Sequence, residues 1–456
     1  MKTKKIILLL GDVVILYISL AIALAIRYRN FDFTAFEAHF IPFSIIYIIW
    51  LVVFYINDLY ELDIAKNNIE FSSALIRALI IGGLISVVIF YLVPNFVFGA
   101  LTPKTNLFLN IAIFTILFYG WRYLFNLFVG SLKMKINTAI IGYNPQAIDL
   151  AKEIIKNPQL GYGLKLIIKN HEEIDKTELP EIKVLQGFKN LRETLQQERV
   201  TLAIVTPEVY KSQDLIQNLF DCIKYKIDFV NLSDFYENTT KKIPLTAIDQ
   251  IWFLENISQK NKQTYEFFKR LIDFALGFAL LIITFPIWLI IALVIKFESS
   301  GKIFYTQIRV GRGGRPFKII KFRSMIKDAE KDGPKMAQKN DSRITKFGKF
   351  LRKTRLDELP QLLNILRGDM SFVGPRAERP EFHQDLKNHI PFYQERYLIK
   401  PGLSGWAQIK YGYGSSVEDN FEKVQYDLYY IKNRSFVFDL SIILKTINIV
   451  LRGGGR

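Results

Sequence analysis

KRLIDFALGFALLIITFPIWLIIALVIK, residues Lys269–Lys296, is the stretch on which the architecture turns. Between its basic ends, Leu271–Ile295 is apolar except for Asp273, and Pro286 interrupts it. A helix rises ~1.5 Å per residue and a bilayer core takes ~20 helical residues, so a straight helix here would cross. Crossing would export a segment in which 31 Lys and Arg stand against 17 Asp and Glu. Pro286 removes a backbone donor and breaks a helix. The run therefore reads as a helix–break–helix that enters and returns on one face. A kinked fifth span is the competing reading.

The rest of the composition agrees with a membrane setting. The chain has 456 residues, room for two or three domains, and half of them are apolar, with 37 Phe and 22 Tyr. Its formal charge is +17. Basic residues beside apolar helices point to the anionic cytoplasmic face of a bilayer or to anionic substrates, rather than to nucleic acid. A single cysteine, Cys222, excludes an internal disulfide framework and a cysteine zinc site. The four histidines have no metal-ligand spacing, so any metal would be a hard cation on carboxylates and phosphate oxygens.

Four more apolar stretches, Ile6–Ile26, Ile41–Ile56, Ala74–Val93 and Leu107–Val129, are each candidates to span. Lys2, Lys4 and Lys5 place the N-terminus in the cytoplasm, and the first run is too long for a cleaved signal. Four spans return the chain to the cytoplasm near Arg122 and Lys133. A strand pattern over Lys135–Tyr143 follows, then a helix over Pro145–Lys156. Further strands are expected at Leu164–Ile168, Leu202–Thr206 and Ile227–Leu232, with a helix over Leu215–Lys226. This alternation predicts a Rossmann-like parallel sheet. Its first turn, Gly142-Tyr143-Asn144-Pro145, lacks the G-x-G-x-x-G of a dinucleotide site, so no cofactor-binding residues are assigned and a structural or regulatory role is expected.

The last part reads as a basic α/β unit. Ile303–Val310 and Phe317–Met325 flank Gly311–Gly314 as a hairpin. Strand alternation puts Lys321 and Arg323 on one face, suited to phosphate or to a solvated edge. Ile326–Asp341 is charged and loop-like, and a helix is expected over Ser342–Lys353. In Arg352–Leu363 (RKTRLDELPQLL) the acids Asp357 and Glu358 precede Pro360 and an apolar helical face. Helix capping needs only one of them. An acidic pair among Arg352, Arg355 and other cations can instead hold a divalent metal, and a carboxylate can attack phosphorus. Arg376 and Arg379 suit phosphate or ion pairs with Glu378 and Glu381. Phe392, Tyr393, Tyr397 and Trp406 resemble an interfacial belt, and Phe436–Leu451 an interface-lying helix.

From about Phe267 onward the chain resembles the bacterial sugar transferase family, the monotopic polyprenyl-phosphate phosphoglycosyl transferases. The resemblance rests on Lys269–Asp273, the Pro286 break, Gln307–Gly311, Lys321–Met325, Asp341–Thr345, Leu356–Gln361, Asn364–Arg376, Arg379–Phe382 and Pro401–Gln408. It implies a membrane α plus α/β protein: a four-helix transmembrane region (1–130), a Rossmann-like cytoplasmic domain (131–256), and a re-entrant helix with its catalytic domain (257–456). It also implies transfer of a hexose 1-phosphate from a UDP-sugar to undecaprenyl phosphate with release of UMP, the first membrane step of O-antigen, capsule or exopolysaccharide synthesis. Asp357 would be the nucleophile of a two-step reaction, and Asp357 with Glu358 would hold Mg²⁺. Lys321, Arg323, Arg352, Arg355, Arg376 and Arg379 would bind phosphate. The site would lie on the cytoplasmic face of the bacterial inner membrane. Partners would be the UDP-sugar, the lipid phosphate and the bilayer, with no nucleic acid; a homodimer is compatible with this arrangement. Phe285 departs from the pattern, where a small polar residue such as Ser is expected before Pro286. A membrane scaffold or sensor with an inactive transferase domain is the alternative.

Overall fold

Long apolar runs become long helices. α1 (Lys2–Tyr28), α2 (Phe33–Ile56), α3 (Ile69–Leu92) and α4 (Lys104–Gly130) each enclose or overlap one expected stretch. All four are long and apolar enough to cross a membrane. The structure is a computed structural model and describes residues 2–30, 32–61, 68–92, 104–130, 135–169, 182–187, 190–257, 262–327, 329, 341–412, 414 and 416–451. It forms two compact units, Met1–Leu232 and Ser233–Arg456.

Lipid tails offer helices no hydrophobic drive to associate, so rings, small residues and polar links must do so. Phe54 stacks on Phe114, and Phe71 on Phe118. Trp50 lies against Gly82 and donates to Ser86 Oγ at 2.9 Å. Asn110 donates to Ser19 Oγ at 2.8 Å. Arg122 is not the flanking charge expected from the sequence: it is fully buried, 2.8 Å from Asp12 Oδ2, with Phe118 beneath its guanidinium.

The first unit continues with β1 (Ile136–Ile141), α5 (Pro145–Lys156), β2 (Tyr162–Lys169), β3 (Lys183–Gln186), α6 (Leu191–Gln197), β4 (Leu202–Val205), α7 (Gln213–Cys222) and β5 (Asp228–Asn231). The strands are parallel in the order β3-β2-β1-β4-β5. The short β3 carries no apolar run and was not anticipated. Asn144 caps α5 through Ala147 N, and its amide reaches Glu208 at 3.3 Å. That contact bridges the β1 and β4 loops where the sheet order reverses, the position at which α/β sheets bind ligands. Gly142 (φ +101°) is required there, because a Cβ would collide with Thr206 Oγ1.

The second unit begins earlier than the expected 257: Ile243 and Leu245 belong to its core. α8 (Leu232–Thr240) and α9 (Gln250–Asn256) lead into α10 (Gln263–Glu298). The helix does not end at Pro286, so the expected break is not an interruption of helical backbone. A hydroxyl lies one residue earlier than expected: Thr284 Oγ1 donates to Leu280 O at 2.7 Å, a contact of the kind that bends helices. Asp273, Gly277, Trp288, Ile291 and Ile295 are buried, while Ile283, Phe285, Ile290 and Phe297 leave a broad apolar face exposed.

β6 (Phe304–Val310) and β7 (Pro316–Phe322) form the expected antiparallel hairpin. α11 (Lys346–Lys353) and α12 (Gln361–Arg367) follow, then β8 (Ser371–Val373), α13 (Pro380–His389), β9 (Gly402–Ser404), α14 (Trp406–Lys410), α15 (Val417–Asn433) and α16 (Phe436–Leu451). Most of the expected 326–341 loop lies outside the described residues. Tyr393, Tyr397 and Trp406 are not an interfacial belt; they are buried in the core, where Tyr393 and Tyr397 meet edge-to-face and Trp406 meets Phe438 in the same way.

Two joints tie this unit together. Arg270 donates to Ile365 O and Leu366 O (2.5 and 2.7 Å), closing the C-terminal end of α12. The fully buried Asn364 accepts from Ile320 N at 3.0 Å and donates to Lys318 O at 2.7 Å, holding α12 to β7. Asn364→Ala leaves both backbone groups of β7 unpaired, and a loss of about 2–4 kcal/mol is expected. Denaturation of the detergent-solubilised variant checks this; an unchanged midpoint refutes it.

Candidate active site

Asp357 and Glu358 occupy a one-turn 3-10 helix, Leu356–Glu358, between α11 and α12. Arg355 precedes it in the left-handed region (φ +60°), a conformation that non-glycine residues adopt at turns under strong constraint. The reversal tucks both acids inward, each only 8% exposed. Neither caps α12, whose N-terminal position is Pro360 with no side-chain cap, so the capping reading falls.

The two carboxylates differ. Glu358 collects cations from three places: Lys321 of β7 at 2.8 Å, Arg376 at 3.4 Å and Arg355 at 3.6 Å. Burial pushes its carboxyl up, but Lys321, Arg376 and Arg355 hold it well below the usual carboxylate range. Among the described residues Asp357 has no hydrogen bond or ion pair to its carboxylate. Burial pushes it up to about 6, with the Glu358 charge adding to the rise against Lys321, Arg352 and Arg355. Both acids line a cavity of about 1110 Å³.

The remaining expected residues divide. Lys321, Arg355 and Arg376 converge on Glu358. Arg352 lines the cavity and donates to Ser324 Oγ at 2.9 Å. Arg379 lines it too, but pairs with Glu381 at 3.6 Å, as the ion-pair reading had it. Arg323, one residue past the end of β7, lines the cavity with Lys321. Its guanidinium turns to Ser299 O (2.7 Å) and Ser300 O (3.0 Å) at the end of α10. The sequence reading missed Arg309, Arg396, Lys423 and Asp427, which complete the cavity wall. Arg309 stands in the Gln307–Gly311 block, whereas Arg396, Lys423 and Asp427 carry no local motif and only the tertiary fold brings them there. Asp357 and Glu358 share the cavity with the acids Glu378 and Asp427, but no group of three or more His, Cys, Asp or Glu is clustered for a metal among the described residues.

The folded protein holds the Asp357 proton up to about pH 6, while an unfolded chain releases it near 4. Stability is therefore lost across that window as pH rises. Asp357→Asn is expected to stabilise the fold by about 1–3 kcal/mol at neutral pH, with the gain shrinking below about pH 4. Melting curves at both pH values check this; a variant no more stable at neutral pH contradicts the buried-acid assignment.

The family described as "Bacterial sugar transferase" matches residues 264–453. Over 191 residues the chain is 44% identical to the UDP-N-acetylgalactosamine-undecaprenyl-phosphate N-acetylgalactosaminephosphotransferase of Aeromonas hydrophila, covering 42% of this chain and 45% of that protein. It is 43% identical over 182 residues to the UDP-glucose:undecaprenyl-phosphate glucose-1-phosphate transferase of Klebsiella pneumoniae, covering 40% and 39%. An enzyme of the latter description from Caulobacter vibrioides is 41% identical over 187 residues, covering 40% of this chain and 69% of its own length. The chain thus spans less than half the length of the Aeromonas and Klebsiella relatives, but over two thirds of the Caulobacter one. The chain belongs to the bacterial sugar transferase family.

Proposed function

We propose that the protein transfers a sugar 1-phosphate from a UDP-sugar to undecaprenyl phosphate at a membrane surface, in polysaccharide synthesis. The observation that carries this reading is the Asp357 carboxylate, without a hydrogen bond or ion pair among the described residues, set beside the cation-held Glu358 in a cavity roomy enough for a nucleotide sugar. The names of the relatives matching the same segment support it.

In the first step an Asp357 oxygen attacks the β-phosphorus of the donor. An O–P bond forms, the bridging P–O bond breaks, and UMP leaves with the electron pair. In the second, a phosphate oxygen of the polyprenyl acceptor attacks the same phosphorus, and the Asp357 carboxylate departs unchanged. A carboxyl that titrates near 6 is ionised at neutral pH, yet more basic than an ordinary aspartate, which favours attack. Lys321, Arg355 and Arg376, preassembled on Glu358, lie ready to offset charge on the phosphoryl oxygens. The donor set also fits Mg²⁺, which is commonly held by one or two carboxylates plus substrate phosphates. Asp357 and Glu358 would hold it, and it would supply further neutralisation of the diphosphate.

For the membrane arrangement we propose four spans, α1–α4, with α10 re-entering at Pro286 and the second unit on the cytoplasmic face. The basic balance after Ile295 and the apolar outer face of α10 favour this. A cysteine placed after Lys296 should label from the cytoplasmic side; labelling from the periplasm sinks the re-entrant arrangement.

The relatives' names differ in sugar, so the donor is found by screening. UMP release should occur with one of UDP-glucose, UDP-galactose or their N-acetylated forms, without acceptor present. Asp357→Asn should abolish this release and the transfer. The rate should fall as pH drops below about 6, because the nucleophile is then protonated. Full turnover by Asp357→Asn removes the covalent step; absence of UMP release from every donor favours a scaffold or sensor.

A further inference from the structure

The Arg376 side chain is 36% exposed and meets Glu358 at 3.4 Å, so its direction is set by that ion pair together with how firmly its backbone is held. The loop carrying it is pinned on both sides. Gly374 N donates to Ser404 O and Gly402 N to Pro375 O, both at 2.9 Å. Arg309 holds Ala377 O at 3.1 Å, and Val310 N holds Glu378 O at 2.9 Å. The carbonyl of Arg376 itself is held by Arg396, whose Nη2 donates to it at 3.3 Å.

Arg396 is 2% exposed and lies in the 3-10 turn Tyr393–Leu398. Its Nη2 also meets Asp427 Oδ2 at 2.7 Å, and its Nη1 donates to Tyr393 Oη at 3.0 Å. Asp427 is equally buried and comes from α15, a helix begun by the reciprocal Ser416–Asp419 capping box. Burial pushes the Asp427 carboxyl up to about 6 in spite of Arg396. Such a buried pair is a poor source of stability compared with apolar residues of the same volume. Its value lies in direction: a planar fork has few ways to satisfy an aspartate, a phenol and a carbonyl together.

We propose that Arg396, locked by Asp427, is a positioning residue that fixes the Arg376 carbonyl and thereby aims the Arg376 guanidinium into the cavity. The inference rests on the reading of Arg376 as a phosphate-binding group. Arg396 acts through Arg376, so the two should not contribute independently.

The test is a double-mutant cycle on the full-length detergent-solubilised enzyme, scored by donor kcat/KM for UMP release. Arg396→Lys keeps the charge opposite Asp427 but loses the fork. It should lower donor kcat/KM about ten-fold or more with the melting temperature held. Arg376→Ala should do likewise, and the double variant should be no worse than Arg376→Ala. A double variant that loses the product of both effects overturns the positioning role alone. Unchanged kcat/KM in Arg376→Ala removes the phosphate role and the proposal with it. If Arg396→Lys does not fold, Tyr393→Phe removes one bond to the fork and should show the same non-additivity with Arg376→Ala at smaller size; full additivity there overturns the proposal equally.

Discussion

One buried negative charge organises the second unit around its cavity. Glu358 lies out of water, and an uncompensated carboxylate there is costly. Lys321 from the hairpin, Arg355 from the turn and Arg376 from the 374–379 loop meet that demand. Three segments that also share the apolar core are thus joined at one charged point. The surplus of positive charge that results is complementary to a diphosphate, and the neighbouring Asp357 is left without an ion pair among the described residues.

The division of labour between adjacent acids follows from geometry rather than chemistry. Both are equally buried, but only Glu358 is within reach of the three guanidinium and ammonium groups. One is therefore held ionised and the other raised. Environments that push neighbouring carboxyl groups apart are a general way of assigning different roles to like residues.

Much of this was legible in the sequence, for identifiable reasons. The apolar runs, the hairpin turn, the Asn144-Pro145 helix start and the helix Phe436–Leu451 are local signals, and each element lies where its pattern puts it. The Asp357-Glu358 pair was legible as dense chemistry before a helix. What was not legible depended on contacts distant in sequence. Arg396 and Asp427 look like ordinary surface charges until the fold buries them together, and Arg122 looks like a flanking charge until Asp12 is beside it. Arg323 lines the cavity with Lys321, but its bonds to Ser299 and Ser300 depend on where α10 ends and carry no local signal. The aromatic residues Tyr393, Tyr397 and Trp406 misled because core and interface draw on the same residue types.

The joints at Arg270 and Asn364 have a mechanical meaning. Arg270, at the start of the long apolar helix, grips the end of α12; Asn364 of α12 grips β7; Lys321 of β7 grips Glu358. The catalytic turn is thus linked to the lipid-facing helix by three polar couplings in series, with no loop between them to absorb a displacement. Under the proposed membrane arrangement, a change of bilayer thickness or solubilising agent that shifted this helix would be passed to the turn along the same couplings.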